Sequence, residues 1–374
     1  MKPSSAIASI YHLASLGLPA KMTQGTLRLL LEDVFAYDTL TILWLDESCN
    51  LIDVASNHLC PRDLGDLFVA HFLNQSEADA YKTHHAFMRH KSSHDVLHKQ
   101  VANYRQTEFY NEFARPMDFH FIARFALRNA GDPLAAIWAT RTRGTTDFSN
   151  QDIRQLVELL PCLEQMLAVS SVGIDESCTT PSGEQAWLLV DIDGSVSHLA
   201  SGTAALLHLA ANVPRNASSL SDDCYDWARP ILKRLLDQLV QLESQTQVAL
   251  PTATIINQSG HYIFRAYRME HVTGHRQTFG VQITRHVPIG LRLLASPMVR
   301  ALPRREKQVC LMLAEGEAPQ IIAKQMGISS NAVIQHVRSI YSRLNINRRE
   351  ELLNALLPTP ESRPFPIRME TRQN

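Results

Sequence analysis

Asn331, Ile334, Gln335, Arg338 and Ser342 share one side of a helical wheel near the end of a 374-residue chain. At about 100° per residue the opposite side carries Val333, Val337, Ile340 and Leu344, a single apolar stripe. A helix with amides, a hydroxyl and a guanidinium outward, and no carboxylate among them, suits a polyanion. The chemistry on offer is recognition rather than bond-making. Gln335 can pair with an adenine edge, and Arg338 with guanine or a phosphate. Ile334 offers only apolar contact, for example to a thymine methyl. Lys324, Arg343, Arg348 and Arg305 add charges suited to positioning on a phosphate backbone. Any one such cation is an ordinary surface charge, but their concentration is not. From Leu291 onward there are thirteen Lys/Arg against seven Asp/Glu, an excess of six, whereas the whole chain is −1 and residues 1–290 therefore carry −7. A cationic excess confined to one segment is the electrostatic footprint of nucleic-acid binding.

The flanking residues predict how this helix is held. A preceding helix runs roughly Ala318 to Met326, with Ile322, Ala323 and Met326 inward. Gly327 can take the left-handed backbone that ends it, Ile328 plugs the gap below, and Ser329 is a natural N-cap for the next helix. Such a turn sends the second helix off steeply, the arrangement that seats a recognition helix in the major groove. Leu302-Pro303-Arg304-Arg305-Glu306 opens a helix before the pair. After Asn345-Ile346, Asn347 and Glu350 have the spacing of an N-cap and its N3 partner. Leu352, Leu353, Leu356 and Leu357 then line one side of a fourth helix and predict a dimer seam.

Residues 302–357 resemble the C-terminal DNA-binding domain of LuxR/GerE-type bacterial transcription regulators. The matching residues are Leu302, Arg305-Glu306, Gly316, Ile322-Ala323, Gly327-Ile328-Ser329, Val333, His336, Ile340, Leu344, Arg349 and Leu352. The chain departs from that pattern twice. Ala332-Val333-Ile334 stands where the family has Thr-Val-Lys, removing a hydroxyl and a cation from the groove. Ala318-Pro319 replaces a small polar helix start, and proline is tolerated there.

The whole chain is ordinary for a globular protein, 45% hydrophobic and 20% charged, and long enough for two or three domains. Cys49, Cys60, Cys162, Cys178, Cys224 and Cys310 form no close pair, which excludes a zinc ribbon and a disulfide framework and fits a reducing cytoplasm. No apolar run approaches the roughly 18 residues of a membrane span, and the N-terminus is a poor secretion signal. The composition of Pro358–Asn374 predicts a disordered tail.

Upstream, a helix over residues 23–35 precedes strands Thr39–Leu45 and Leu51–Ala55. Helical patterns cover roughly Pro61 to Lys99. A hairpin turns at Gly131-Asp132 between His120–Leu127 and Leu134–Thr140. Ser149 and Asp152 cap one long helix through Ile153, Leu156, Val157, Leu160, Leu163 and Leu167. This order, with Phe148–Asp152, is similar to a GAF-type sensor. A polar stretch at Gly173–Gly183 predicts a boundary. Beyond it, Trp187–Asp191, Val196–Leu199, a helix over Gly202–Leu209, another around Trp227–Leu242, and strands Ala253–Asn257, His261–Tyr267 and Thr278–Thr284 resemble a PAS domain. Asp191-Ile192-Asp193-Gly194 fails as a calcium loop, because Val196 and Gly202 stand where its glycine and glutamate belong.

Two clusters in the first region could bind something. His90, His94 and His98, with His84 and His85 upstream, would place imidazoles on one ion if a single helix held them. Ser92-Ser93 can break that helix, and a solvated polar face is the plainer reading. Tyr104, Tyr110, Phe113 and Arg115 could wall a small-molecule pocket; the plainer alternative packs Tyr110 and Phe113 on a sheet.

The fold expected is therefore α+β. It comprises a GAF-like domain over 1–172, a PAS-like domain over 184–288 and an all-α four-helix helix-turn-helix domain over 296–357. The function expected is that of a cytoplasmic, homodimeric, sequence-specific transcription regulator acting on double-stranded DNA with RNA polymerase. It would need no identified cofactor and would be open to a small-molecule signal. Neither a receiver phosphoacceptor nor the residue set of acyl-homoserine-lactone sensors can be placed here. A sigma-factor-like promoter binder is the alternative, disfavoured by the additional fourth helix. A metal-dependent enzyme module is a weaker one, since no phosphate loop, Gly-x-Ser-x-Gly or His-Glu-x-x-His motif occurs.

Overall fold

Ala130 and Gly131 both take positive φ, 51° and 100°, which closes a tight hairpin whose twist matches its strands. That hairpin is the spine of the first of two sheets in the computed structural model. The model describes residues 3–58, 60–73, 87–88, 93–101, 103–169, 179–200, 202–212, 223–242, 251–269 and 278–357. The architecture is α+β, with two sheets and a C-terminal all-α bundle. Two compact units divide at Val172/Gly173, leaving aside residues 214–221, which fall outside the described set.

The first unit contains helices α1 (Pro3–Ser15) and α2 (Ala20–Glu32), then strands β1 (Thr39–Leu45) and β2 (Leu51–Ser56). Helix α3 (Arg62–Leu67) continues as a π-helical stretch, Phe68–Leu73. Next come β3 (His94–Val96), α4 (Leu97–Gln100), β4 (Phe121–Asn129), β5 (Asp132–Arg141), α5 (Asn150–Val157) and α6 (Leu160–Leu167). The sheet order is β2-β1-β5-β4-β3, antiparallel throughout. Helix α6 packs on β4 and β5, and α1 packs on α2 and α6. Phe68, Phe72, Phe109, Phe113 and Trp138 gather in a buried cluster with Leu43 and Leu45 from β1. Each such ring contributes on the order of 1.5–3 kcal/mol by leaving water.

Several expectations for this unit are corrected. The expected helix at 23–35 begins earlier, at Ala20, and α1 was not foreseen. The long helix after Ser149 is two helices. Its capping box forms as expected, with Ser149 and Asp152 exchanging bonds, but Pro161 lacks the N–H that would continue the ladder, and the chain restarts at Leu160. The helical reading of Pro61–Lys99 fails at His94–Val96, which pairs with β4 as a strand before a short helix resumes at Leu97.

The second unit opens with β6 (Thr179–Val190) and β7 (Val196–Leu199), then helices α7 (Thr203–Ala211) and α8 (Asp223–Leu242). Strands β8 (Thr252–Asn257), β9 (Gly260–Met269) and β10 (Thr278–Pro288) complete the antiparallel order β7-β6-β10-β9-β8. Leu188, Val190, Tyr262, Phe264, Val281 and Ile283 face a core shared with Leu206, Leu207, Leu232 and Leu235 of α7 and α8. The expected polar boundary is corrected in part: Thr179–Gly183 belong to β6, and 173–178 lie outside the described residues. A bulge there, with Gly183 at φ 91°, lets Glu184 reach the buried Arg285 at 2.6 Å. Five helices follow, namely α9 (Ile289–Ala295), α10 (Pro297–Arg300), α11 (Arg304–Ala314), α12 (Pro319–Met326) and α13 (Ser330–Leu344). A 3-10 turn at Arg349–Glu351 leads into the last helix, α14 (Leu352–Leu356).

Candidate nucleic-acid interface

Helix α12 buries Ile322 and Ala323 against its neighbours. It ends where Gly327 turns left-handed at φ 63°. Ile328 N–H donates to the Ala323 carbonyl at 3.1 Å and Gly327 N–H to that of Lys324 at 3.4 Å, a Schellman cap. Ser329 then caps α13, its hydroxyl accepting from Ala332 N–H at 3.2 Å. Two caps separated by one residue leave no room for a gradual bend, so the helices meet as a helix-turn-helix. Asn345, at φ 52°, repeats the left-handed stop at the far end of α13.

Val333 and Ile340 are fully buried, and Val337 and Leu344 half-buried, so the inward stripe is as expected. Asn331, Ile334, Gln335, Arg338 and Ser342 are all exposed, Ile334 to 42%. Lys324, Arg305 and Arg348 are exposed as well, and none of them, nor Arg338, forms an ion pair among the described residues. Asn331, Ile334, Gln335, Arg338 and Ser342 thus present donors and a positive charge along one side of α13.

Arg343 differs. Its Nε lies 3.1 Å from Glu306 Oε2 on α11. The positioning charge expected there is thus engaged within the domain.

The fourth helix is also corrected. Asn347 does not cap it through Glu350; its N–H donates to Glu351 Oε2 at 2.9 Å, and a 3-10 turn stands where the helix was expected to begin. Leu352 and Leu356 are buried in the domain itself, leaving Leu353 and Leu357 half-buried, so the expected leucine seam is reduced by half. Two residues with supporting roles escaped the sequence reading. Ser296 donates to the Leu356 carbonyl, and Arg349, quoted only as a matching residue, donates to the Leu313 and Glu317 carbonyls, both at 3.0 Å. Their partners lie more than thirty residues away in sequence, where no local signal points. Cys310 on α11 is fully buried, its thiol pushed up to about 12 by burial.

Residues 300–355 match the family model described as "Bacterial regulatory proteins, luxR family". The C-terminal domain is a LuxR/GerE-type helix-turn-helix domain. DNA binding and transcription regulation come with it. No curated protein matches the chain. Among solved structures, "VqmA bound to DPO" is similar at 17% identity over 48% of this chain and 86% of that one, with a TM-score of 0.19. A Vibrio cholerae VqmA complex with ligand and DNA gives 17%, 49%, 84% and 0.20. "Sensor region of a sensor histidine kinase" gives 10%, 67%, 84% and 0.17.

The two upstream clusters fare differently. Among the histidines, His90, His84 and His85 lie outside the described residues, as does the tail from Pro358. His94 sits on β3, stacked on Phe125 with its Nδ1 3.3 Å from Ser93 Oγ, so the helical spacing that would converge imidazoles is broken. Among the described residues no group of three or more metal-type ligands occurs. Tyr110 and Phe113 pack in the aromatic core, and Arg115 is exposed. Tyr104 does line an open cleft of about 410 Å³ with Val101, Asn103, Arg105, Gln106, His120 and Phe121. Because a guanidinium only donates, His120 Nε2 accepts from Arg105 Nη2 at 2.9 Å. Its Nδ1 therefore carries the proton donated to Tyr110 Oη, also at 2.9 Å.

Proposed function

We propose that the chain is a sequence-specific transcription regulator that reads double-stranded DNA through α13 and works as a homodimer in the cytoplasm with RNA polymerase. The single observation that carries the reading is the exposed, acid-free side formed by Asn331, Ile334, Gln335, Arg338 and Ser342 on a helix capped at both ends. Two such helices in a dimer would meet half-sites about one helical turn, roughly 34 Å, apart. Residues 296–357 form the DNA-binding domain in this reading. Residues 1–172 and 184–288 form GAF-like and PAS-like sensor domains; an antiparallel five-stranded sheet in each unit supports that assignment. A small molecule in the cleft beside Tyr104 and His120 would act by linkage, favouring one arrangement of the dimer over another. No helix among the described residues is long and apolar enough to cross a membrane, in keeping with a cytoplasmic regulator.

Selection of bound duplexes from a random library with the full chain at low ionic strength tests this reading. The expected result is an inverted-repeat motif with half-sites one turn apart. Recovery of no enriched sequence would overturn it.

A further inference from the structure

Glu306 stands in the first turn of α11 with its side chain only 12% exposed. One carboxylate oxygen accepts from Ser339 Oγ at 2.9 Å, and the other faces Arg343 Nε at 3.1 Å. Ser339 and Arg343 are four residues apart on α13 and so lie one above the other. A single anion therefore clasps two successive turns of the recognition helix. We propose that Glu306 is a positioning residue for base reading, and that Arg343 serves this clasp rather than a phosphate.

The geometry makes the clasp a rotational stop. Ser339 is the neighbour of Arg338, and Arg343 that of Ser342, so the held edge borders the side meant for DNA. Turning α13 about its axis would carry Gln335 and Arg338 away from the base edges and break both contacts to Glu306 at once. The buried stripe alone does not fix this angle, because Val337 and Leu344 are only half-buried. An exposed ion pair contributes little by itself. Here the Arg343 side chain is 55% exposed but the anion is largely shielded, and the Ser339 hydroxyl it accepts from supplies the directional contact. The clasp also removes one cation from those that displace counterions from DNA. Of the charges named above, Arg338, Lys324, Arg305 and Arg348 remain for that task.

This inference rests on the regulator reading above. The test measures binding of the full chain to the selected duplex and to a scrambled one across a salt series, by fluorescence anisotropy. Thermal unfolding of each variant shows that it folds. For Arg343→Gln the expected result is a weaker operator complex with an unchanged salt slope, whereas Arg338→Gln flattens the slope by about 0.9. Glu306→Gln keeps an acceptor for Ser339 but releases Arg343. It is expected to steepen the slope by about 0.9 and to lower the ratio of operator to scrambled affinity severalfold. Ser339→Ala, a milder change, should lower that ratio without moving the slope. The inference is overturned if Arg343→Gln flattens the slope as Arg338→Gln does, or if Glu306→Gln changes neither slope nor ratio. Were the wild-type chain to prefer no duplex, the regulator reading and the clasp would fail together. A selective wild type with either overturning pattern removes the clasp alone.

Discussion

Ser296 Oγ donates to the Leu356 carbonyl at 2.7 Å, joining residues sixty positions apart and both buried. The bond ties the start of the DNA-binding domain to its last helix. The carbonyl it serves is one of those a helix end leaves without an intrahelical donor. Ser296→Ala leaves that oxygen buried and unmatched, and the expected loss is about 1–3 kcal/mol. Chemical denaturation of the full chain, followed by a probe in the C-terminal domain, measures it.

Arg349 makes a second long-range tie within the domain. Its Nη2 donates to both the Leu313 carbonyl, near the end of α11, and the Glu317 carbonyl just beyond it, a placement that the shorter, more strongly hydrated lysine ammonium reproduces only in part. Arg349→Lys is expected to lose roughly half of what Arg349→Met loses, the latter being about 2–3 kcal/mol. Equal losses in the two variants would show that the charge contributes nothing and the guanidinium geometry everything, whereas a lysine variant as stable as the wild type would show the reverse.

Gly327 gives a clean test of backbone strain. A Cβ built there meets no atom within 4 Å, so Gly327→Ala adds no clash and only forces a left-handed alanine. The expected destabilisation is about 1–2 kcal/mol. Gly327→Asn should cost less, since Asn345 already occupies the same conformation at the end of α13.

At the groove, Arg338→Ala should cost about 1–3 kcal/mol of specific affinity. Ile334→Lys, restoring the cation of the family pattern, should steepen the salt slope by about 0.9 while altering the preferred bases. Competition binding on the selected duplex and its point variants reads both effects.

Burial holds the His286 imidazole below its ordinary value, aided by neighbouring His261 and Arg265; burial alone does the same to His12. A base whose folded pKa is depressed favours unfolding once it must protonate. Stability from these groups is complete above about pH 6.5, the ordinary histidine value, and is lost as pH falls through their folded pKa. The melting temperature should therefore drop on acidification below about pH 6.5, and less steeply in His286→Gln. An identical pH profile in that variant would exclude His286 as a contributor.

The helix-turn-helix was legible because its signals are local. Gly327, Ser329 and the Val333–Leu344 stripe each act within a few residues, and so do the Gly131 turn and the Ser149 box. What escaped was set by distance or competition. Pro161 was outvoted by an unbroken leucine periodicity. His94 entered a strand because β4 offered an edge, which the surrounding helical pattern could not reveal. Tyr110 and Phe113 are polar or aromatic in sequence whichever way they face, and only the packed cluster decides. Arg343 reads as a charge for the phosphate backbone, and Glu306 only as a matching residue of a helix start, until the fold brings them together.

The thiol enclosed in the bundle has a practical consequence. Cys310 is fully buried and hard to ionise, so an alkylating reagent can reach it only when the bundle opens. Its labelling rate, scaled by that of an unfolded thiol, is a native stopwatch for how often the DNA-binding domain breathes. Cys49, equally enclosed in the first unit, keeps independent time there. Comparing the two with and without operator duplex would show whether gripping DNA quiets one half of the molecule or both.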